Sequence, residues 1–251
     1  ALMTQGLMGG DGDGLALQSL DLTTTDLRLP GARFGQTRLT AAQSADATAL
    51  RLDGSRLAGD VRLPDADGAA VVVSLQRLHW PALAQAAPGA PPATPARRAP
   101  ADDGIDPGTL PPVQLTVDDL RVGELALGRV EARSRPGAGG LVLDHLRIRA
   151  PQHRIDATGR WTGRGAAART AVEVDVESED FGRLLSGLGF AGSIVGGQGR
   201  VDLDTAWPGS PAAFDIAAQN VDDGASMVAV IAVDTLDLDA DRDFDEEVPP
   251  G

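Results

Sequence analysis

The segment Ser186–Gly192, SGLGFAG, spells G-x-G-x-x-G, the spacing with which a dinucleotide-binding loop lets its backbone approach a pyrophosphate. That chemistry requires a strand running into the glycines and a helix leaving them, because the phosphates sit on the helix N-terminus. The flanks run the other way. Upstream, Ser178 can cap a helix with an acidic first turn, in which Phe181, Leu184, Leu185 and Leu188 fall at helical spacing. Downstream, Val201, Leu203, Thr205 and Trp207 alternate with other residues over Gly199–Trp207, the period of a half-buried strand. The order is helix, glycines, strand, so the motif reads as a loop that ends a helix and starts a strand.

Other candidates for chemistry are equally spare. His79, His145 and His153 show no metal-binding spacing, and neither H-E-x-x-H nor G-x-S-x-G occurs. They read as surface or strand-end histidines. Asp237–Glu247 sets carboxylates at alternate positions, as a calcium loop does, but Arg242 stands where the sixth-position glycine belongs and Val248 where the twelfth-position acid belongs. A solvated acidic segment accounts for it. No cofactor, metal site or catalytic residue is expected, and the chain is not read as an enzyme. Trp80-Pro81 and Trp207-Pro208 each close a strand, since proline cannot continue a ladder.

Composition narrows the classes further. The 251 residues are 42% apolar, enough for a sizeable core, but only 3% aromatic, with no Tyr. Burial must be built from Leu, Val and Ala. The absence of Cys excludes disulfides and thiolate metal sites. A net charge of −14 argues against a nucleic-acid partner, which needs clustered cations. Much of that charge is local, ten acidic residues standing against Arg242 alone in 219–251. The first ten residues have no basic n-region, and no run of eighteen apolar residues occurs. Without an initiator Met, the chain reads as a piece of a longer polypeptide whose targeting segment lies elsewhere.

The elements that must position any site are strands. Alternating apolar pairs recur from Leu15/Leu17 through Leu20/Leu22, Leu27/Leu29, Leu50/Leu52, Val61/Leu63 and Val71/Val73/Leu75. They resume with Val113/Leu115/Val117, Leu120/Val122, Leu125/Leu127, Leu141/Leu143, Leu146/Ile148, Val172/Val174/Val176 and Val201/Leu203. Turn residues separate many of them, the pattern of an all-β antiparallel meander. Only 179–188 suggests a helix. In TAVEVDVESED the valines take one face and the acids the other. A sheet with one apolar face must cover it with a second sheet, with helices or with a ligand. The pattern therefore admits a sandwich, a closed barrel, or a curved sheet holding something apolar.

The Ala/Pro-rich region 85–112 reads as a linker loop between a first meander, 1–84, and a second, 113–218, followed by a divergent acidic tail, 219–251. The meanders repeat. Leu20–Leu29 aligns with Val113–Val122, Phe34-Gly35 falls on Leu127-Gly128 at the same spacing, and Leu50–Leu57 matches Leu141–Ile148 at nearly the same spacing.

The run Asp180–Ile216, DFGRLLSGLGFAGSIVGGQGRVDLDTAWPGSPAAFDI, resembles the hallmark of the AsmA-like superfamily and, within it, of the YhdP group of envelope proteins. The matching features are the short helix, Leu188-Gly189, Gly196-Gly197, the strand from Gly199 and the closing Trp207–Pro211. Asp106–Gly128, Leu141–Trp161 and Leu50–Pro64 agree with it. The resemblance runs from Leu15 to Ala217 and lapses beyond Ala218. It implies an elongated, curved antiparallel meander forming an open β-groove with one short helix. By the same resemblance the groove belongs to a periplasmic protein tethered to the inner membrane by a segment outside this chain and bridging toward the outer membrane, with envelope proteins as possible partners. Phospholipid acyl chains are the implied cargo. Leu115, Val117, Leu120, Val122, Leu141, Leu143, Val172, Val174, Val176, Val201 and Leu203 are the expected groove lining. A closed sandwich serving as a structural or interaction module of the envelope produces the same alternation.

Overall fold

A computed structural model describes residues 19–29, 32–81, 105–188, 196–211 and 226–233. Its strands are β1 Ser19–Leu29, β2 Ala32–Gln43, β3 Ala47–Gly54, β4 Leu57–Pro64, β5 Val71–Trp80, β6 Val113–Val122, β7 Leu125–Gly137, β8 Gly140–Arg149, β9 His153–Thr162, β10 Arg169–Ser178, β11 Gly199–Pro208 and β12 Ser226–Val233. Among the described residues one α-helix forms, α1 Phe181–Gly187, between β10 and β11. All twelve strands lie in a single sheet in chain order, and the first and last do not pair with each other. The protein is an all-β, open, curved sheet. Neither a second facing sheet nor a closed barrel forms among the described residues, so the sandwich left open by the alternation is not what this chain builds there.

One junction departs from the antiparallel meander: β5 and β6 run parallel, Val71 opposite Val113 and Val122 opposite Trp80. A parallel pair forces the chain to return the full length of a strand before starting the next one. The Ala/Pro-rich region occupies that return. Most of it lies outside the described residues; its end, from Ile105, holds a single 3-10 turn at Pro107–Thr109, capped by Asp106, with Pro107 fully buried. The acidic segment 219–251 also contributes an element not expected from its sequence, because Ser226–Val233 pairs with β11 from Ala206 to Gly199. Leu15, Leu17 and the calcium-like run Asp237–Glu247 lie outside the described residues.

Several apolar pairs that look like separate strands are single strands broken by a bulge. In β6 the register slips between Val117 and Leu120, and in β1 it slips between Thr24 and Leu27, the aligned positions of the repeat. β8 slips between Leu143 and Leu146, and β4 and β5 are irregular at Ala58/Gly59. An extra residue switches the side-chain parity, which is how Leu115/Val117 and Leu120/Val122 come to share one face. The repeat extends to the backbone beside the bulge. Leu27 pairs with Gly35 and Leu120 with Gly128, and both glycines have positive φ, 72° and 82°.

The sheet curls toward its apolar side. Phe34 on β2 meets Trp80 on β5 edge to face, ring centroids 5.6 Å apart. Strands three places apart in a flat sheet would be separated by about 14 Å. The core lies at this margin, where Ala32, Phe34, Leu57, Leu75, Leu125 and Leu127 are buried and Leu184 of α1 packs onto them.

Candidate functional site

Register turns the alternation into rows. One row crosses all twelve strands as Leu22, Leu39, Leu52, Gly59, Leu75, Val117, Val130, Ile148, Ile155, Val176, Val201 and Ile231, each directly opposite the next. A second row, one pleat further on, is Leu20, Ala41, Leu50, Val61, Val73, Leu115, Ala132, Leu146, Ala157, Val174, Leu203 and Ala229. No polar residue interrupts either. The rows run across the strands, so the apolar face is a trough whose long axis is perpendicular to them. At the usual strand separation it extends roughly 50 Å, against roughly 15 Å for half the hydrocarbon core of a bilayer.

Each expected lining residue falls on this face. Leu115, Val174, Val176, Val201 and Leu203 sit in the two rows with Val117, while Leu143 and Val172 meet across Gly159 in the next row and Leu141 lies opposite Trp161 beyond it. Leu120 and Val122 lie on the other side of the β6 bulge and pack with Leu115 against the core. Val117 is buried, whereas Leu141, Leu143, Val172, Val174, Val176, Val201 and Leu203 remain half-exposed. Residues of the first meander that continue the rows, such as Leu50, Leu52, Val61 and Val73, belong to the same face; their alternation and the internal repeat were the signals for them.

The two long margins of the trough differ. One, carrying the β1–β2, β6–β7 and β8–β9 turns, is packed. Here α1 lies against the start of β7: a Cβ on Gly187 would stand 2.7 Å from that of Leu125, so only glycine lets the helix come this close. Phe181, Leu184 and Leu188 face the sheet. The helix cap is Asp180 rather than Ser178; the Asp180 carboxylate accepts from Arg183 N at 2.9 Å, while Ser178 Oγ accepts from Asp180 N at 3.1 Å. The next amides, of Phe181 and Gly182, donate to the carbonyls of Gly197 and Gly196 at 2.9 and 3.3 Å. Positive φ at both glycines turns their carbonyls toward the helix. The helix N-terminus is thus occupied by the chain's own groups, and the helix, glycine, strand order holds. Gly189 and Gly192 lie outside the described residues.

His153 is buried beneath this margin, at 8% exposure, rather than sitting on the surface. Its ring bonds the carbonyl of Leu127, its Nε2 has no partner, and burial pushes its pKa down. A neutral ring with Nδ1–H donating satisfies that geometry.

The opposite margin carries the β7–β8 and β9–β10 turns and the end of β11, and Ala168, Thr170, Trp207 and Ser210 are buried there. Trp161, Thr170 and Trp207 lie directly opposite one another on β9, β10 and β11, on the apolar side. The chain after β11 folds back onto them: Thr170 Oγ1 donates to the Gly209 carbonyl at 2.8 Å, and Trp207 Nε1 donates to that of Ser210 at 3.0 Å. Trp207 is therefore more than a strand terminator. It anchors the Pro-Gly-Ser turn.

The reverse face of the sheet is charged. Arg200 donates to Asp175, Glu177 and Asp202 at 3.0, 3.1 and 3.2 Å, and Asp156 accepts from Arg149 at 2.6 Å and Arg154 at 3.1 Å. The Arg149 guanidinium holds the Asp156 carboxyl below its ordinary range. His79 contacts Asp119 at 2.8 Å, which with Arg121 lowers that carboxyl likewise. Exposed pairs like these contribute solubility and register more than stability. A cleft of about 660 Å3 at the β8–β9 turn is lined by Arg149, His153, Arg154, Glu177 and Arg200 among others. Arg149, Arg154, Glu177 and Arg200 put charge on its walls, so it does not prolong the apolar trough.

Among the described residues no group of three or more His, Asp or Glu is placed to hold a metal ion, and no helix is long and apolar enough to cross a membrane. Comparison with curated proteins and with solved structures returned no match. A protein-family profile described as "YhdP protein" does match, over residues 8–222, taking in both meanders, α1 and β11, and the chain accordingly belongs to the YhdP family of envelope proteins.

Proposed function

We propose that this chain is a segment of a periplasmic, bridge-like protein that carries phospholipid acyl chains along its apolar trough between the inner and outer membranes. On this reading a segment outside the chain tethers it to the inner membrane, and envelope proteins meet its ends. The observation that supports it best is the pair of unbroken apolar rows, left half-exposed over much of their length. Water against such a surface is costly, at about 25 cal/mol per Å2 of apolar area, and a patch this long on a monomer marks a ligand or partner. Each methylene buried in the trough contributes about 0.8 kcal/mol without a directional contact. Successive positions along the rows are chemically alike, so a chain held at one is held comparably at the next and can slide. Nothing in this scheme calls for a bond to be made or broken.

Native mass spectrometry of the protein purified from a bacterial host, followed by organic extraction, tests the reading. Co-purifying phospholipid is expected, and it is expected to be lost when Val174→Asp and Leu203→Asp are combined. A lipid-free, monodisperse and stable wild-type protein would end the proposal.

A further inference from the structure

Strands β1 and β6 hold the same place in the two meanders. Leu20–Leu29 aligns with Val113–Val122, both strands slip register at the same point, and the glycines opposite Leu27 and Leu120 share a positive φ. Their surroundings differ. β6 is flanked on both sides, by β7 and by the parallel strand β5, whereas among the described residues β1 has β2 alone. The difference shows in burial. Leu20, Leu22 and Leu29 are 36%, 49% and 42% exposed, while their counterparts Val113, Leu115 and Val122 are half-buried beside β5. An edge strand of 11 residues with three exposed leucines is a template for another strand, and β1 has neither Pro nor Lys to discourage one.

The β5–β6 junction shows what such a strand looks like. β5 runs in the same direction as β6, with Val71, Val73 and Leu75 opposite Val113, Leu115 and Val117. Beyond the bulge His79 lies opposite Arg121, and its Nε2 stands 2.8 Å from the Asp119 carboxylate, which also accepts from Arg121 at 3.1 Å. The acidic and basic members of this trio recur on β1. Asp26 and Arg28 align with Asp119 and Arg121, and Arg28 donates to Asp26 at 2.6 Å with both side chains exposed. Among the described residues no histidine stands beside that pair. Apolar side chains, edge backbone and an Asp–Arg pair thus give β1 the surface that β6 offers to β5. We infer that the edge of β1 is a docking site for a strand of the β5 kind, parallel to β1 in the register that β5 keeps on β6, and belonging to a further meander of the same polypeptide. A second copy of this chain fits less well. Two copies joined at β1 by a two-fold axis keep their apolar faces on one side only when the two β1 strands run antiparallel. The docked strand carries the apolar rows past Leu20 and Leu22, so its own trough joins this one without a break.

A fluorescent peptide of the β5 sequence, Val71–Trp80, is titrated into the protein by anisotropy beside a scrambled peptide. The β5 peptide is expected to bind and the scrambled one is not. Direction is read by disulfide cross-linking, since the chain has no Cys of its own. Thr23 aligns with Thr116, and Ser74 lies opposite Thr116 in the parallel register. Protein carrying Thr23→Cys is therefore expected to cross-link to a peptide carrying Ser74→Cys and not to one carrying Arg77→Cys, where a reversed strand would bring its thiol. The histidine contact is tested by paired substitutions. His79→Ala in the peptide is expected to weaken binding to wild type about three- to tenfold, the loss of one hydrogen bond, and to leave binding to the Asp26→Asn protein unchanged. Cross-linking through Arg77→Cys, or equal weakening by His79→Ala in both proteins, overturns the parallel register. Failure of the β5 peptide to bind overturns the docking site. Cross-linking of Thr23→Cys protein to itself, with a concentration-dependent dimer in sedimentation velocity, assigns the edge to a second copy and overturns the proposal likewise. None of these outcomes bears on the acyl-chain reading, which is tested separately.

Discussion

The two margins of the trough are made from the same strands yet meet different physical demands. At the packed margin bulges switch parity in β1 and β6, the strands bend, and side chains from β2, β5, β7 and α1 bury one another. Along the middle the alternation runs on either side of the β8 bulge, and Val172, Val174 and Leu203 stay half-exposed on the apolar face. The difference teaches that one margin supplies the fold with its core, which frees the rest of the apolar face from that task. A single-layered sheet with no such margin would have to close on itself or associate.

The largest effect expected from this contrast is on stability. Phe34→Ala, at a fully buried ring packed on Trp80, is expected to cost about 3–5 kcal/mol, whereas Leu203→Ala, half-exposed in the trough, costs about 1 kcal/mol. Urea unfolding of lipid-free protein reads both, and equal losses would erase the distinction between core and trough. Next in size is a contrast within the repeat. Gly35→Ala places a methyl in open space and pays only for positive φ, about 1–2 kcal/mol. Gly128→Ala sets its Cβ 2.3 Å from the Arg149 carbonyl, so the β7–β8 pairing must shift as well. Thermal melts should rank Gly128→Ala well below Gly35→Ala; equal melting temperatures or the reverse order would mean that the close approach of Gly128 to the Arg149 carbonyl carries no cost.

The smallest effect is on pH dependence, and it is confined to the packed margin. Burial lowers the pKa of His153, so below the ordinary value, about 6.5, the unfolded chain binds a proton that the folded chain refuses. Its contribution is present in full above that value and is lost as pH falls through the lower folded one. Denaturation midpoints measured from pH 7.5 downward should therefore fall more steeply for wild type than for His153→Gln. Parallel slopes would place the acid-sensitive group elsewhere.

Much of this architecture was legible in the sequence because the period of a strand is local. Val172, Val174 and Val176 against Glu173, Asp175 and Glu177 declare a two-faced strand without reference to any neighbour. The repeat between Leu20–Leu29 and Val113–Val122 is likewise visible in one dimension, and it foretold two strands that share a bulge position. The bulges themselves were not legible. Between Val117 and Leu120 two aspartates read as a turn, and only the partner strand shows that the chain continues straight past them. β12 was hidden for a related reason: in SMVAVIAV nearly every residue is apolar, so no alternation marks a face, and the acids around it dominate the composition.

Alternation, repeat, the single short helix and the helix, glycine, strand order were set along the chain, since each depends on residues a few positions apart. The parallel β5–β6 junction, the choice of an open sheet over a sandwich, the burial of His153 and the placing of Trp161 and Trp207 on either side of Thr170 were not. These depend on which strand lies beside which and in what register, and the free energy that selects a register is summed over whole strands whose partners can lie far away in sequence.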